Sequence, residues 1–329
     1  MRPRLGLFAL VLLAAVVLVA RAARAPSPGP ESAAARRGPV AARAPKPPPA
    51  LPVPLSGLAL AAADGRLWAI GGLAQGTTST DAVYTWRPGA AAWRLVAHLP
   101  AARHDGAAAA VGRDVWFVGG GLGSVSASDA SAISPAGAVA RVRALPSLPS
   151  ARSDLAAVSW GGGVVAVGGY DGVTDALPVL ALAPHARAWR PVASLPRGVR
   201  YAAAAVLGDR LYLFGGLAPQ GLSDAVWRVD LATGAVRQVG RLSAPADDMV
   251  AAVVGGRIYV LGGAAATGDL STVWRFDPAS GRLTAVARLP GARAYGAAAV
   301  LGGRLYYAGG ESGGRALAQV AAVALPGAG

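Results

Sequence analysis

Pairs of adjacent glycines recur through this 329-residue chain at an almost constant interval. The second glycines of six successive pairs are 48, 49, 47, 47 and 47 residues apart. The pairs are Gly71-Gly72, Gly119-Gly120, Gly168-Gly169, Gly215-Gly216, Gly262-Gly263 and Gly309-Gly310. A leucine, usually followed by proline, keeps the same period at Leu51, Leu99, Leu148, Leu195, Leu242 and Leu289. Two markers in register indicate a chain of repeated units, each too small to bury its own faces.

Each unit has the pattern of several short strands. In the last unit, Gly296 to Leu301 and Arg304 to Ala308 flank a two-glycine turn, as in a β-hairpin. The preceding unit adds Thr272 to Phe276 and Arg282 to Arg288, which makes four strands. The first strand is rich in alanine, as expected where strands converge on a narrow axis. The sequence therefore predicts an all-β fold, a six-bladed β-propeller of repeats of about 47 residues with four-stranded antiparallel blades.

Other positions of the repeat point to a family. After the closing Gly72, the first unit has Tyr84, then Trp93, then the P-x-x-R-like sequence Pro100 to Arg103. By this pattern residues 51–329 resemble exported bacterial members of the kelch-repeat β-propeller family. The late tryptophan is kept only at Trp93 and Trp189, and the residues near its place in other units are Val139, Val236 and Leu283. The resemblance implies a propeller but, by itself, no particular ligand.

The last unit is short, because only one predicted strand, Ala316 to Leu325, follows its loop. A propeller must close its ring, so we expect residues 40–50 to add the outer strand of the last blade. Prolines in that stretch fit poorly at a sheet edge. A three-stranded last blade is the alternative.

The N-terminal region is predicted to direct export. Residues 1–24 contain an apolar run, Leu5 to Ala20, that is shorter than the roughly 20 residues needed to span a bilayer. Ala20-Arg21-Ala22 fits a small-x-small cleavage site, which favours a signal peptide over an uncleaved membrane anchor. Residues 25–50 are rich in Pro, Ala and Arg and are typical of a linker. We expect an extracytoplasmic protein, secreted or tethered to the membrane through residues 5–20.

Composition excludes some kinds of chemistry. The chain has no cysteine, so thiol catalysis, cysteine metal sites and the cysteine-crosslinked copper site of galactose-oxidase-like propellers are excluded. Half of the net charge of +14 lies in residues 1–50, and the rest is spread over the repeats, so we predict no nucleic-acid partner. With three histidines in the chain, we also predict no metal and no cofactor.

One position of the repeat is the best candidate for a site. When the units are aligned on their glycine pairs, this position precedes each innermost strand, at one mouth of the central channel. Its occupants are Gly57, Asp105, Asp154, Tyr201, Asp248 and Tyr295. Arginines lie one or two residues earlier, at Arg103, Arg152, Arg200 and Arg293. We predict ligand binding by these nine charged and phenolic residues, although the arginines could instead serve only to hold loops or blades together.

Two loops, a histidine and four aspartates occupy other positions of the repeat. The loops Leu217 to Ser223 and Glu311 to Gly314 are expected to surround the same mouth, and His104 is expected in a solvent-facing turn. Asp81, Asp129, Asp175 and Asp224 precede third strands, where aspartate is typical of turns.

Two functions fit these residues. The first is a non-catalytic recognition scaffold that binds a protein or glycan at the channel mouth, because functional residues concentrate near loops of a rigid scaffold. The alternative is a sugar mutarotase or epimerase that resembles the periplasmic sialic-acid kelch epimerases. That reaction would use Asp105, Asp154 or Glu311 as acid and base, with an arginine to bind the sugar carboxylate.

Overall fold

A computed structural model describes residues 47–75 and 77–326. These residues form β-strands joined by turns and loops, and among them there is no helix that is long and apolar enough to cross a membrane. The predicted signal peptide or anchor, residues 1–24, and the linker up to residue 46 lie outside the described residues. The all-β propeller prediction is confirmed by the strand arrangement below.

Six antiparallel sheets, here called blades 1 to 6, follow one another along the chain. From the hub outward, blade 1 contains Ala59–Ala63, Arg66–Ile70, Thr78–Trp86 and Arg94–Arg103. Blade 2 contains Ala107–Val111, Asp114–Val118, Ala130–Ala136 and Val139–Leu145. Blade 3 contains Ser153–Trp160, Gly163–Tyr170, Pro178–Leu182 and Arg190–Ser194. Blade 4 contains Ala203–Leu207, Arg210–Phe214, Ala225–Asp230 and Val236–Arg241.

Blade 5 contains Val250–Val254, Arg257–Leu261, Thr272–Asp277 and Arg282–Arg288, close to the bounds predicted from sequence. Blade 6 contains Ala294–Leu301, Arg304–Ser312 and Val320–Val323. The loops add two-residue strands at Leu55–Ser56, Leu73–Ala74, Gly121–Leu122, Val125–Ser126, Leu217–Ala218, Gly221–Leu222, Ala246–Asp247, Ala264–Ala265, Gly268–Asp269 and Arg315–Ala316.

The ring closes without a fourth strand in blade 6 among the described residues. The inner strand of each blade contacts the inner strand of the next, and that of blade 1 contacts that of blade 6. The segment before blade 1 also binds blade 6, since Leu51 N donates to Ala318 O (2.7 Å) and Leu55 N donates to Leu317 O (3.0 Å). Residues 47–50 form no strand, and the remainder of the predicted closing strand lies outside the described residues.

The structure explains the repeated glycine pairs, which we call the glycine joints. At each joint a Cβ on the first glycine would lie 2.2–2.7 Å from a carbonyl oxygen of the segment that leads into the inner strand of the neighbouring blade. For example, a Cβ on Gly215 would lie 2.2 Å from Ala246 O, and Gly216 N donates to the same oxygen (2.8 Å). The joints are therefore contacts between blades, and their backbones come too close for any side chain.

The two late tryptophans fill the space between blades near the rim. Trp93 Nε1 donates to Pro49 O (3.0 Å) and Trp189 Nε1 donates to Pro146 O (2.8 Å), each bridging to the segment that precedes the blade. In blade 5 the corresponding position is Leu283, and there a cavity of ≈ 610 Å³ lies against Trp274 and Leu242. The smaller side chain leaves open a space that an indole fills in blades 1 and 3.

Candidate functional site

The six residues that were aligned from the repeat form one ring at the channel mouth, and we call them the mouth ring. They are Gly57, Asp105, Asp154, Tyr201, Asp248 and Tyr295. Five backbone hydrogen bonds of 2.8–3.0 Å join them, each N–H donating to the C=O of the ring residue in the preceding blade. One of these bonds, Gly57 N to Tyr295 O, runs from blade 1 to blade 6 and closes the ring.

Every member of the mouth ring has a left-handed backbone. Its φ angles lie between +50° and +60°, a region that glycine adopts freely and that costs other residues about 1–3 kcal/mol. Aspartate tolerates this region better than most residues, whereas tyrosine has no such advantage. Glycine nevertheless occupies only Gly57, so the other five positions keep their side chains at a conformational cost.

The side chains of the ring converge on a cavity of ≈ 170 Å³. Below them, the cavity is lined by small residues of the inner strands, among them Ala59, Ala107, Ala156, Ala203, Ala251 and Ala297. At Gly57 the missing side chain leaves room for Asp105, because a Cβ there would lie 2.4 Å from Asp105 Oδ1. The aromatic rings of Tyr201 and Tyr295 meet edge to face, with centroids 6.1 Å apart. The mouth is thus lined by carboxyls and phenols over an aliphatic wall.

Burial changes the acidity of the three ring carboxyls. Desolvation, with the nearby charges of Asp154 and Glu311, raises the pKa of Asp105 to about 8. Desolvation also raises the pKa of Asp154, although the Ser153 hydroxyl, which donates to Asp154 Oδ2 (2.9 Å), opposes the rise. Groups with perturbed acidity in a cleft are candidates for function.

Asp248 is the most enclosed of the three. Its exposed fraction is 9 %, and its Oδ2 is buried without a hydrogen-bond partner in the described structure. Desolvation and the neighbouring Asp247 raise its pKa well above the ordinary value. The charge of Asp248 is in turn the main reason that the pKa of the Tyr295 phenol is raised. A buried carboxyl oxygen that lacks a donor is costly unless a ligand supplies one.

Three of the four predicted arginines are held within or between the blades, away from the channel. Arg152 is 1 % exposed and donates to Gly168 O (3.2 Å) and Pro178 O (2.9 Å). Arg103 pairs with Asp129 (2.7 Å), and the guanidinium of the buried Arg293 lies 5.6 Å from the ring centroid of Tyr307. The residues that line the mouth cavity include none of the four arginines. The geometry of these three fits a structural use of the arginine pattern.

Arg200 is the arginine whose charge reaches the mouth. Its guanidinium lies 4.4 Å from the centroid of Tyr170 and 3.4 Å from Asp175, and its charge partly offsets the rise in the pKa of Asp154. Its backbone pairs with Leu217, which places the start of the predicted loop Leu217 to Ser223 beside the ring. The charge of Glu311 acts on both Asp105 and Tyr295, so the second predicted loop also begins there.

His104 is a neighbour of the site that the sequence placed wrongly. Its side chain is mostly buried, and its Nδ1 makes a 2.9 Å hydrogen bond with Ser79 of blade 1 rather than facing solvent. Burial lowers the pKa of the imidazole, and its Nε2 lies 3.9 Å from Asp105 Oδ2. In residues 47–75 and 77–326, no group of three or more His, Asp and Glu side chains is arranged to hold a metal ion.

A ring of antiparallel blades, five of them four-stranded, around an alanine-lined channel defines a β-propeller. A family model, the KLHDC2/KLHL20/DRC7 Kelch-repeats domain, matches residues 154–325, which is just over half of the chain. The chain belongs to the kelch-repeat family.

Solved structures support the same fold. The chain aligns with the structure titled "Structure of YjhT" at a TM-score of 0.71 and 18% sequence identity, covering 83% of this chain and 96% of that one. At that identity the likeness concerns architecture alone. A search of curated proteins by sequence found no significant match.

Proposed function

We propose that this protein is a non-catalytic recognition scaffold that binds a protein or glycan ligand at the mouth ring. The observation that carries the proposal is that all six ring positions share a left-handed backbone while their side chains vary. The five non-glycine members keep Asp or Tyr in a conformation that glycine would adopt more easily. A rigid scaffold with convergent polar groups over an aliphatic wall is suited to binding.

We further propose that the scaffold works outside the cytoplasm, secreted or tethered to the membrane through residues 5–20. This part of the proposal is supported by the apolar run after Arg2 and Arg4 and by the following Pro-rich linker. N-terminal sequencing of the mature protein, isolated from its own cells, would test it. A sequence that starts at Met1 in a cytosolic fraction would contradict it.

Screening the full chain against peptide and glycan arrays would test the binding proposal. We call the protein with Asp105→Asn, Asp154→Asn and Asp248→Asn together the mouth variant; these changes keep the shape of each side chain. A matched control carries Asp81→Asn, Asp224→Asn and Asp277→Asn, which lie outside the mouth cavity. We expect ligands that bind the wild type and the control but not the mouth variant. Array ligands retained equally by all three proteins would refute binding at the mouth.

The alternative of a sialic-acid mutarotase is less well supported by the geometry. Binding of an acidic sugar needs a cation that is free to meet its carboxylate. Arg103, Arg152 and Arg293 are held within or between the blades. Arg200 pairs with Asp175, and in the described structure three carboxyls but no arginine line the cavity. We therefore expect the full chain to leave the rate of sialic-acid anomer exchange unchanged in an NMR assay. Acceleration that disappears in the mouth variant would replace the scaffold proposal with this one.

A further inference from the structure

We propose that the ligand group taken up by the mouth ring is a primary alkylammonium, namely the side chain of a lysine on a polypeptide. The inference rests on the proposed function of the ring and names the chemistry of its ligand.

Charge is the first argument. The chain carries a net charge of +14, yet its mouth gathers acidic groups. Asp105, Asp154 and Asp248 belong to the ring, and Asp247 and Glu311 act on them electrostatically. Burial keeps Asp105 protonated up to about pH 8, so the ring gains its charge when a cation enters and stabilises the ionised carboxyls. Among the described residues, the cavity is lined by three carboxyls and by no lysine or arginine, which suits a cationic group better than an anionic one.

The hydrogen-bonding capacity of the ring is the second argument. An ammonium has three donors and no acceptor, whereas an ionised carboxylate only accepts. Asp248 Oδ2 is buried without a donor in the described structure, and Asp105 and Asp154 occupy the ring positions of blades 2 and 3. Tyr201 and Tyr295 flank Asp248 in the ring, and phenol rings attract cations. A cation that enters would favour the ionised form of the carboxyls that burial now opposes.

Size is the third argument. A cavity of ~150 Å³ in a protein interior can hold a six-membered ring, and the mouth cavity measures ≈ 170 Å³. The aliphatic stem and tip of a lysine are of similar size, and the alanine wall is suited to methylene groups. A bare metal ion fits less well, since no three His, Asp or Glu side chains in the described residues are arranged to hold one. A guanidinium is a planar fork that suits one carboxylate at a time, whereas carboxyls on several sides suit an ammonium.

The test titrates the full chain with Nα-acetyl-lysine N-methylamide by calorimetry or NMR. We expect binding that weakens with added salt. The same compound acetylated on Nε should bind at least about tenfold more weakly, because it lacks the charge. Glucosamine, which presents an amine on a sugar, should bind more weakly than the lysine compound. Tighter binding of glucosamine or of the acetylated compound would overturn the inference.

Variants locate the binding. Asp248→Asn should weaken the lysine compound at least about tenfold, and Tyr295→Leu should do so by a smaller factor. Tyr295 is 37 % exposed, so its replacement leaves a folded protein even if Asp248→Asn does not. Asp224→Asn, at a surface ion pair with Arg241, is the matched control and should bind like the wild type. Equal binding by all the variants would place the amine outside the mouth and overturn the inference.

The array experiment distinguishes this inference from the proposed function. If the mouth variant loses array ligands but the wild type does not bind the lysine compound, the scaffold function stands and the ammonium inference is wrong. If the mouth variant loses no array ligand and the amine does not bind, both are wrong.

Discussion

The glycine joints and the mouth ring both repeat six times, but the repeat preserves different things in them. At the joints the residue itself is fixed, because a neighbouring carbonyl occupies the space of a Cβ. At the ring the backbone conformation is fixed, while the side chain changes from Gly to Asp to Tyr. The first region is what the fold requires. The second shows which side chains the fold leaves free, and those are the ones we assign to ligand binding.

The largest effect is expected at a joint. Gly215→Ala should lower the free energy of unfolding by about 4 kcal/mol, because the added Cβ would meet Ala246 O and the left-handed φ would be strained. Gly208→Ala is the matched control, since Gly208 has nearly the same φ with open space around it. It should lose about 1 kcal/mol. Chemical denaturation measures both, and equal losses would show that the joints are ordinary turns.

Arg152→Met tests whether this predicted arginine has a structural role, like the glycine joints, or binds ligand, like the mouth ring. The change leaves Gly168 O and Pro178 O without their buried donor, which should cost about 3 kcal/mol of stability. The variant should still bind the ligands that the wild type binds, when both are measured under conditions in which the less stable protein is folded. Unchanged stability together with lost ligand binding would show that Arg152 is a binding residue.

The pH dependence of stability tests the buried ring carboxyls. In the unfolded chain Asp105 ionises near its ordinary pKa of 3.8, whereas in the folded protein it holds its proton up to about pH 8. Between these values the folded state binds more protons, so stability falls as the pH rises. Asp105→Asn should make that fall shallower by up to about 1.4 kcal/mol per pH unit. Denaturation midpoints at pH 5, 6 and 7 measure it. Parallel curves for variant and wild type would show that Asp105 is ionised in the native protein.

The smallest effect on stability is expected at the ring itself. Tyr295→Gly removes an edge-to-face contact with Tyr201 but relieves a left-handed tyrosine, so the free energy of unfolding should change by less than about 1 kcal/mol. Ligand binding should nevertheless weaken. A loss of more than about 2 kcal/mol in thermal or chemical unfolding, roughly twice the value of such a contact, would make Tyr295 a structural residue.

The sequence alone was sufficient for the fold and for the membership of the ring. Glycine pairs in register place each unit, and counting back from them brings Asp105, Tyr201 and Tyr295 to equivalent positions. This works because the same backbone hydrogen bonds fix the ring residue in every blade. The kelch pattern of Gly72, Tyr84 and Trp93 was likewise readable, because it consists of residue types at a characteristic spacing within one unit.

The direction of side chains beside the ring was not predictable. Arg103 and Arg152 lie two residues before a ring aspartate, but only the folded structure shows that they bind Asp129 and two backbone carbonyls. His104 is held by Ser79 from another blade, which depends on how blades pack. The closing of blade 6 also depends on contacts between chain ends that are far apart in sequence.

The most direct test of the mouth ring uses protein labelled with fluorotyrosine, whose eight tyrosines report from separate places. Tyr201→Phe and Tyr295→Phe assign the two mouth resonances in the ¹⁹F spectrum. A ligand retained in the array experiment is then titrated into the wild type. We predict that the resonances of Tyr201 and Tyr295 shift as the ligand binds, while those of the buried Tyr212 and Tyr259 do not. Saturating binding that leaves both mouth resonances unmoved would contradict the assignment of the mouth ring as the binding site.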